Sequence, residues 1–460
     1  MQGELGKAHV PVQHVLNLLG KGLAISALSG LALLVSNFLI SGLPKKEPQH
    51  PLVKDGCPKS WVLFMGLVYT FTYFTTDQYS PSLPRMEVDL GATQDLMSAT
   101  IQMNFVIKAV TGIFTATLSD RIGRRPAIFA CLILLSMASF CCAFARSIEW
   151  FIAGRLLQGI GESVEPVIFA MVRDYFPRNE ERFMIVSALQ MMSTVGMLLA
   201  PVLGGYSAEL CSWRASFVVL SALWAVMAAY AGLNMVETCP DADPEQPGPG
   251  PSWSRFLNWH CLSLLLTESC NMAAYMTFST NVSYFIEVAH GKSTMTCSTV
   301  MLAFGALNAG GLFLMERLPL GDTLQKAKTS VSLYAASGVL FLFLAAFYYN
   351  YLWAYLLGSY LQAGLSIFAL VSVNVLYFEP LKDCAGLAAS VEIVAKSVIP
   401  SFYSAVSTQS LMRSGAQGLM MFQAAAVIGT GITFWCYAMD PPQGWEPLEA
   451  AKEAPFKDPF

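Results

Sequence analysis

The stretch RLLQGIGESVEPVIF, residues 155–169, plants one Arg and two Glu in a segment that otherwise reads as a buried apolar helix. What such a helix gains from three ionisable side chains depends on its solvent. In lipid a charged side chain facing hydrocarbon at mid-bilayer costs about 2.5–3.5 kcal/mol, so these groups must turn toward a cavity or a partner. The remainder of the chain shows which solvent applies.

Of 460 residues, 55% are hydrophobic and 13% charged, against about one quarter charged in soluble domains. That composition belongs to a membrane protein. The net charge of −4 is small, Lys and Arg cluster in short breaks between apolar runs, and no basic stripe is interleaved with aromatics, so no nucleic acid is expected as partner. Eleven cysteines are scattered, mostly inside apolar segments, with no CxxC and no Cys/His cluster at metal-ligand spacing. They read as small hydrophobes, although Cys211 and Cys297 fall near the same outer loops. Neither a metal nor a cofactor is expected.

Apolar segments recur at approximately 61–80, 97–118, 126–145, 149–172, 181–206, 214–236, 256–287, 293–315, 328–348, 351–377, 384–409 and 417–438. Each has about the 20 residues that cross a hydrocarbon core of roughly 30 Å at 1.5 Å per residue. Lipid offers backbone groups no partner, so the crossings must be helices. Between the sixth and seventh lies ETCPDADPEQPGPGPSW, residues 237–253, whose five prolines and four acids continue no helix and build no core. The expected organisation is an N-terminal extension (1–60), a six-helix half (61–236), a linker (237–255), a second six-helix half (256–438) and a tail (439–460). Basic residues such as Arg121, Arg124, Arg125, Arg173, Arg178, Arg182, Lys326 and Lys328 collect on one side; only Arg85, Arg146, Arg214, Lys292 and Arg413 fall on the other. By the positive-inside rule the first side, with linker and tail, is cytoplasmic. Residues 22–43 form one more apolar stretch, read either as an additional membrane or interfacial helix or as a removed targeting segment.

Four local patterns carry a family resemblance. ATLSDRIGRRP (116–126) follows the second segment, the opening stretch supplies Arg155, Gln158, Gly159 and Gly161, GMLLAPVLGG (196–205) closes the fifth segment, and TDQYSPSLP (76–84) closes the first. Together they resemble the major facilitator superfamily over roughly residues 61–440. TDQYSPSLP, VRDYF (172–176) and SWRASFVVLSAL (212–223) are similar to the Bcr/CflA branch of its drug:proton antiporters, with Ser80 as a departure, while GMLLAPVLGG is similar to the antiporter signature of the fifth helix, with Ala200 in place of one Gly. The resemblance implies an all-α membrane protein with the major facilitator fold, twelve transmembrane helices in two halves. It also implies conformational gating by Asp120, Arg121, Gly123, Arg124 and Arg125, which would clasp the cytoplasmic helix ends in one state. Gly196, Pro201, Gly204 and Gly205 would shape the fifth helix, with Pro201 bending it and the glycines admitting a neighbour. Gly123 allows a tight reversal, and Asp120 is placed to meet the positive end of a neighbouring helix.

Spacing then locates the interior charges. Arg155, Gln158, Glu162 and Glu165 step by three, four and three, which sets all four on one helical face; Asn104, Lys108, Thr111 and Thr115 do the same in the second segment. Five intramembrane acids (Asp77, Glu162, Glu165, Glu268, Glu392) stand against three bases (Lys108, Arg155, Lys396), so two carboxylates lack a fixed partner. An unpaired buried carboxyl tends to hold a proton that a cation can displace. Glu392 and Lys396, at i and i+4, read as a local ion pair. Asp77, near the outer boundary, reads either as a solvated turn residue or, by the branch resemblance, as a coupling acid. Glu268 shares a face with Asn271 and Tyr275 and reads either as confronting the acids of the other half or as buried polar glue between helices, and Tyr69, Tyr73, Tyr275, Phe278, Tyr360 and Tyr403 are candidate walls of a binding site.

The expectation is a proton-coupled exporter of small amphiphilic or cationic molecules, a multidrug-type antiporter in a plasma or organelle membrane. Its partners would be a small-molecule substrate, protons and the lipid bilayer, and it would work as a monomer. Asp77, Asn104, Lys108, Arg155, Gln158, Glu162, Glu165, Glu268 and Asn271 are its candidate coupling and substrate residues. Two other readings stay open: a uniporter or importer of an organic anion using Lys108 and Arg155, and a non-transporting sensor that kept the fold. No HExxH or GxSxG occurs, and no enzyme chemistry is read.

Overall fold

The computed structural model describes residues 59–176, 179–238, 256, 258–316 and 323–439; the apolar stretch 22–43, most of the linker and most of the tail lie outside the described residues. Among the described residues the regular elements are helices: α1 (Lys59–Asp77), α2 (Leu83–Leu90), α3 (Gln94–Ile122), α4 (Arg124–Ala143), α5 (Ile148–Glu162), α6 (Glu165–Tyr175), α7 (Asn179–Leu210) and α8 (Trp213–Asn234). After the linker come α9 (Trp259–Ser283), α10 (Thr294–Glu316), α11 (Thr323–Phe347), α12 (Leu352–Phe378) and α13 (Ala385–Ala438). α5 and α6 share one crossing, α2 lies at one end of the bundle, and α13 reverses at Gly415 (φ 62°, ψ −149°) into two crossings. Among the described residues the membrane-length segments therefore number twelve, six before residue 239 and six after residue 257.

Six of these helical stretches are apolar enough by composition alone to be read as spans. α5 and α6, 15 and 11 residues long, are each too short to be read as a span because their crossing is broken between them, and α9 carries inward polar side chains such as Glu268, Asn271 and Asn281. Exposure is inverted relative to a water-soluble bundle: Val219, Val226, Leu233, Phe343 and Trp353 face outward, whereas Arg155, Gln158, Glu162, Glu268 and Asn281 are buried. Lipid rewards that arrangement, because the apolar side chains meet hydrocarbon and the charges find protein partners.

Each half has its own apolar core. Tyr69, Leu132, Val167 and Trp224 centre the first; Val331, Tyr334, Tyr377 and Phe434 belong to the second. Between halves, α3 lies along α13 and α7 along α10. Hydrogen bonds cross this seam toward the end that carries Arg85. Ser80 Oγ donates to the Ser279 carbonyl, Gln102 Nε2 donates to Ser404 Oγ at 3.3 Å, and Ser401 Oγ donates to the Gln102 carbonyl at 3.2 Å. The bundle is thus drawn together at the Arg85 end. Cys211 and Cys297 are both free thiols, the first exposed and the second buried.

Candidate functional site

The stretch 155–169 does not form one continuous face. α5 ends at Glu162 and α6 starts at Glu165, with Ser163 and Val164 bonded back to Ile160 and Gly161 in tight turns of 3.2 Å. Pro166 is the cause: it has no N–H to give the Glu162 carbonyl, and its ring crowds that oxygen. The break separates the two acids. Glu162 turns to Asn104, whose Nδ2 donates to Oε2 at 2.8 Å, and Glu165 turns to Lys108, with Oε2 2.7 Å from Nζ.

Their surroundings differ accordingly. Glu165 also accepts from the Tyr73 hydroxyl at 3.2 Å, and Lys108 Nζ stands 4.5 Å above the Tyr73 ring, so this acid is held by a cation, a phenol and a π-face. Glu162 has no cation within ion-pair distance among the described residues, and its Oε1 has no hydrogen-bond partner there. Mutual repulsion between the acids is relieved by geometry at one of them only.

Arg155 and Gln158 do not join Glu162. Arg155 Nη1 donates to Gln158 Oε1 at 2.6 Å and to the Thr75 carbonyl at 3.4 Å, and its guanidinium lies 4.8 Å from the Tyr79 ring centre. Gln158 Nε2 donates to Ser139 Oγ at 2.8 Å, which ties α5 to α4. Nε and Nη2 of Arg155 have no partner among the described residues, although the side chain is fully buried.

Asp77 is not a solvated rim residue. It is buried where α1 ends, it has no cation within ion-pair distance among the described residues, and its Oδ2 accepts from the Tyr275 hydroxyl of α9 at 3.0 Å. Glu162, Arg155 and Lys108 all lie within electrostatic range of Asp77. The surplus of acid over base in this half is therefore concentrated on Asp77 and Glu162.

In the second half Glu268 meets Lys396 (Oε2 to Nζ 3.4 Å), which also pairs with Glu392. Asn271 is turned away from this cluster, its Nδ2 donating to the Ser366 carbonyl at 3.1 Å while Ser366 Oγ returns a bond to its Oδ1. Of the aromatic candidates, Tyr73 and Tyr275 touch the acids and Tyr69 adjoins Tyr73. Phe278 instead stacks on Phe304, Tyr360 reaches the Val300 carbonyl and Tyr403 the Phe422 carbonyl, so these three serve packing within the second half.

The turn after α3 brings in a carboxylate that the sequence did not single out. Asp120 reaches Arg124 at 2.5 Å within its own turn, and the carboxylate that meets a helix N-terminus is Glu237, which accepts from the backbone N–H of Arg124 (2.7 Å) and Arg125 (3.3 Å). Gly123 adopts φ 102°, and a Cβ there would run into the Glu237 carboxylate. Buried Arg124 further bonds Ser119 (2.6 Å) and Asp174 (3.1 Å), while Arg125 Nη2 donates to the Gly232 carbonyl at 2.5 Å. The turn thereby joins the ends of α3, α4, α6 and α8. Asp174 and Glu237 were present in the sequence as the Asp of VRDYF and as the first linker acid; nothing local marked them as partners of Arg124. On α7, Gly196 packs on Thr70, Gly204 on the Gln78 carbonyl and Gly205 on Ser298, and the helix runs on through Pro201.

A twelve-crossing helical bundle with its charges turned inward, along the seam between two halves, is the architecture of a membrane transporter. Residues 62–404 match the model of the Major Facilitator Superfamily, and the chain belongs to that family. Among curated proteins it is similar to the multidrug resistance protein MdtL of Klebsiella pneumoniae strain 342, 28% identical over 232 residues, which is 49% of this chain and 59% of that protein. It is also similar to MdtL of Escherichia coli O45:K1, 26% identical over 235 residues, 51% of this chain and 59% of that protein. The matched region thus spans little more than half the length of those relatives. Among solved structures it resembles a bacterial homologue of the human lysosomal transporter Spinster in its inward-facing, occupied conformation (TM-score 0.63, 16% identity, 83% of this chain and 96% of that one). The human organic anion transporter MFSD10 is a further likeness (TM-score 0.55, 16% identity, 84% of this chain and 100% of that one). At such identities these structures speak for the fold alone.

Proposed function

We propose that the chain is a proton-coupled antiporter that exports small amphiphilic or cationic molecules by alternating access. The observation that carries this reading is the pair Asp77 and Glu162, two buried acids with no cation in ion-pair contact among the described residues, one of them bridged to the other half by Tyr275. A carboxylate in that position is expensive to keep ionised, so each acid alternates between holding a proton and facing a cation. Lys108 supports Glu165 and leaves Asp77 and Glu162 to exchange. The similarity to multidrug resistance proteins supports the substrate class, and the basic end of the bundle is the cytoplasmic one by the positive-inside rule.

The test is transport by the purified full chain in proteoliposomes. Asp77→Asn with Glu162→Gln should abolish substrate movement driven by a pH gradient while sparing substrate exchange without a gradient. Undiminished gradient-driven transport in that double variant overturns the reading.

One observation favours an organic anion as cargo instead: the two unpartnered nitrogens of buried Arg155. The readings separate in an unbuffered medium, since antiport of a cation moves protons against the substrate whereas anion uniport leaves the pH unchanged.

A further inference from the structure

We propose that Glu268, Lys396 and Glu392 form a second cation site, in the C-terminal half, that takes the ammonium group of a primary amine. The inference rests on the reading of the chain as a transporter of cationic molecules, and it names a site separate from Asp77 and Glu162. Two carboxylates share one lysine, so the cluster is one positive charge short of neutral. Lys396 does not serve both acids equally. Its i, i+4 relation on α13 seats Nζ on Glu392, which is also fixed by Asn374 Nδ2 at 2.6 Å. Glu268 is left at 3.4 Å from Nζ, an ion pair without hydrogen-bond geometry, and neither of its oxygens has a hydrogen-bond partner among the described residues.

A carboxylate with 0% of its side chain exposed and no donor is a buried acceptor waiting for one. Lys396, by contrast, keeps 22% of its side chain exposed, so the cluster is less enclosed at the lysine than at Glu268. The cluster lies near the other half: Lys396 is within electrostatic range of Tyr73, the residue that bonds Glu165. A primary ammonium entering there supplies three N–H donors and the missing charge. It binds between Glu268 and Glu392 while Lys396 swings outward on its flexible stem. No covalent step is involved, and the filled site is neutral.

The test is fluorescence titration of the detergent-solubilised full chain with dansylcadaverine, a primary amine, and with neutral dansylamide as control. Glu268→Gln should weaken dansylcadaverine binding about tenfold or more, as removal of one member of a buried charge pair does, and leave dansylamide unchanged. Lys396→Met should act in the opposite direction and tighten it, because the competing tethered charge is gone. Should Lys396→Met misfold, Lys396→Gln with Glu392→Gln keeps the net charge of −1 and should bind the amine within about threefold of the parent. Equal affinity of parent and Glu268→Gln, or loss of affinity in both lysine variants, overturns the site. In the Asp77→Asn, Glu162→Gln background, Glu268→Gln should still weaken dansylcadaverine binding about tenfold, so failure of proton coupling and failure of this site are read separately.

Discussion

The Tyr275 hydroxyl donates to Asp77 Oδ2 at 3.0 Å, across the seam between the two halves of the bundle. It joins the end of α1 to α9 close to where Ser80 meets Ser279, so the bond on Asp77 lies among the contacts that hold the Arg85 end closed. Tyr275→Phe removes the donor and leaves the acid buried. A hydrogen bond to a charged group is worth about 1.5–3 kcal/mol, which corresponds to a shift of about tenfold or more away from the closed arrangement. Thiol labelling of Ser82→Cys, in a background lacking the exposed Cys141 and Cys211, reads that shift as faster modification.

The Lys108–Glu165 pair is almost wholly buried. Lys108→Met strands Glu165, and breaking one side of a buried pair costs about 3–5 kcal/mol. Adding Glu165→Gln removes the orphaned charge, so the double variant should regain most of the lost thermal stability. Equal melting of single and double variants would mean that the pair contributes nothing.

At the basic end, Glu237→Ala deletes the acceptor for two backbone N–H groups of α4 and should lower stability by about 0.5–2 kcal/mol, as loss of a helix cap does. Gly123→Ala forces a Cβ onto φ 102° and into the Glu237 carboxylate, and strain of that kind costs about 1–3 kcal/mol. In the Glu237→Ala background the same Gly123→Ala change should hurt less, since the clash with the carboxylate is then gone and the backbone strain alone remains. Thermal unfolding of the four proteins measures the coupling.

Outside the membrane, burial pushes the Glu87 carboxyl of α2 above the usual carboxylate range; the Tyr284 hydroxyl, near enough to lower it somewhat without completing a hydrogen bond, offsets part of the rise. A raised folded-state value means that the folded protein binds this proton more tightly than the unfolded chain. The associated stability is fully present below the ordinary glutamate range and fades as pH climbs through the raised value. Glu87→Gln should therefore flatten the fall in melting temperature across that interval. An unchanged pH profile in Glu87→Gln would sink this assignment.

Much of this protein is legible in one dimension. Twelve apolar periods, the Pro-rich break after residue 236 and the loop pattern around Gly123 define a two-part helical membrane bundle, because lipid permits helices of one length and requires charges to face inward. The same logic finds the interior charges, since an ionisable residue amid apolar neighbours announces itself by type and spacing alone. The 3.6-residue period fails at Pro166, where a missing N–H and a crowding ring split the expected stripe and send Glu162 and Glu165 to different partners. Tertiary structure alone decides which acid keeps a cation, that Asp77 is bridged by Tyr275 from 198 residues away, and that Glu237 caps the start of α4. Those choices depend on distances of a few ångströms between segments remote in sequence, and no local pattern encodes them.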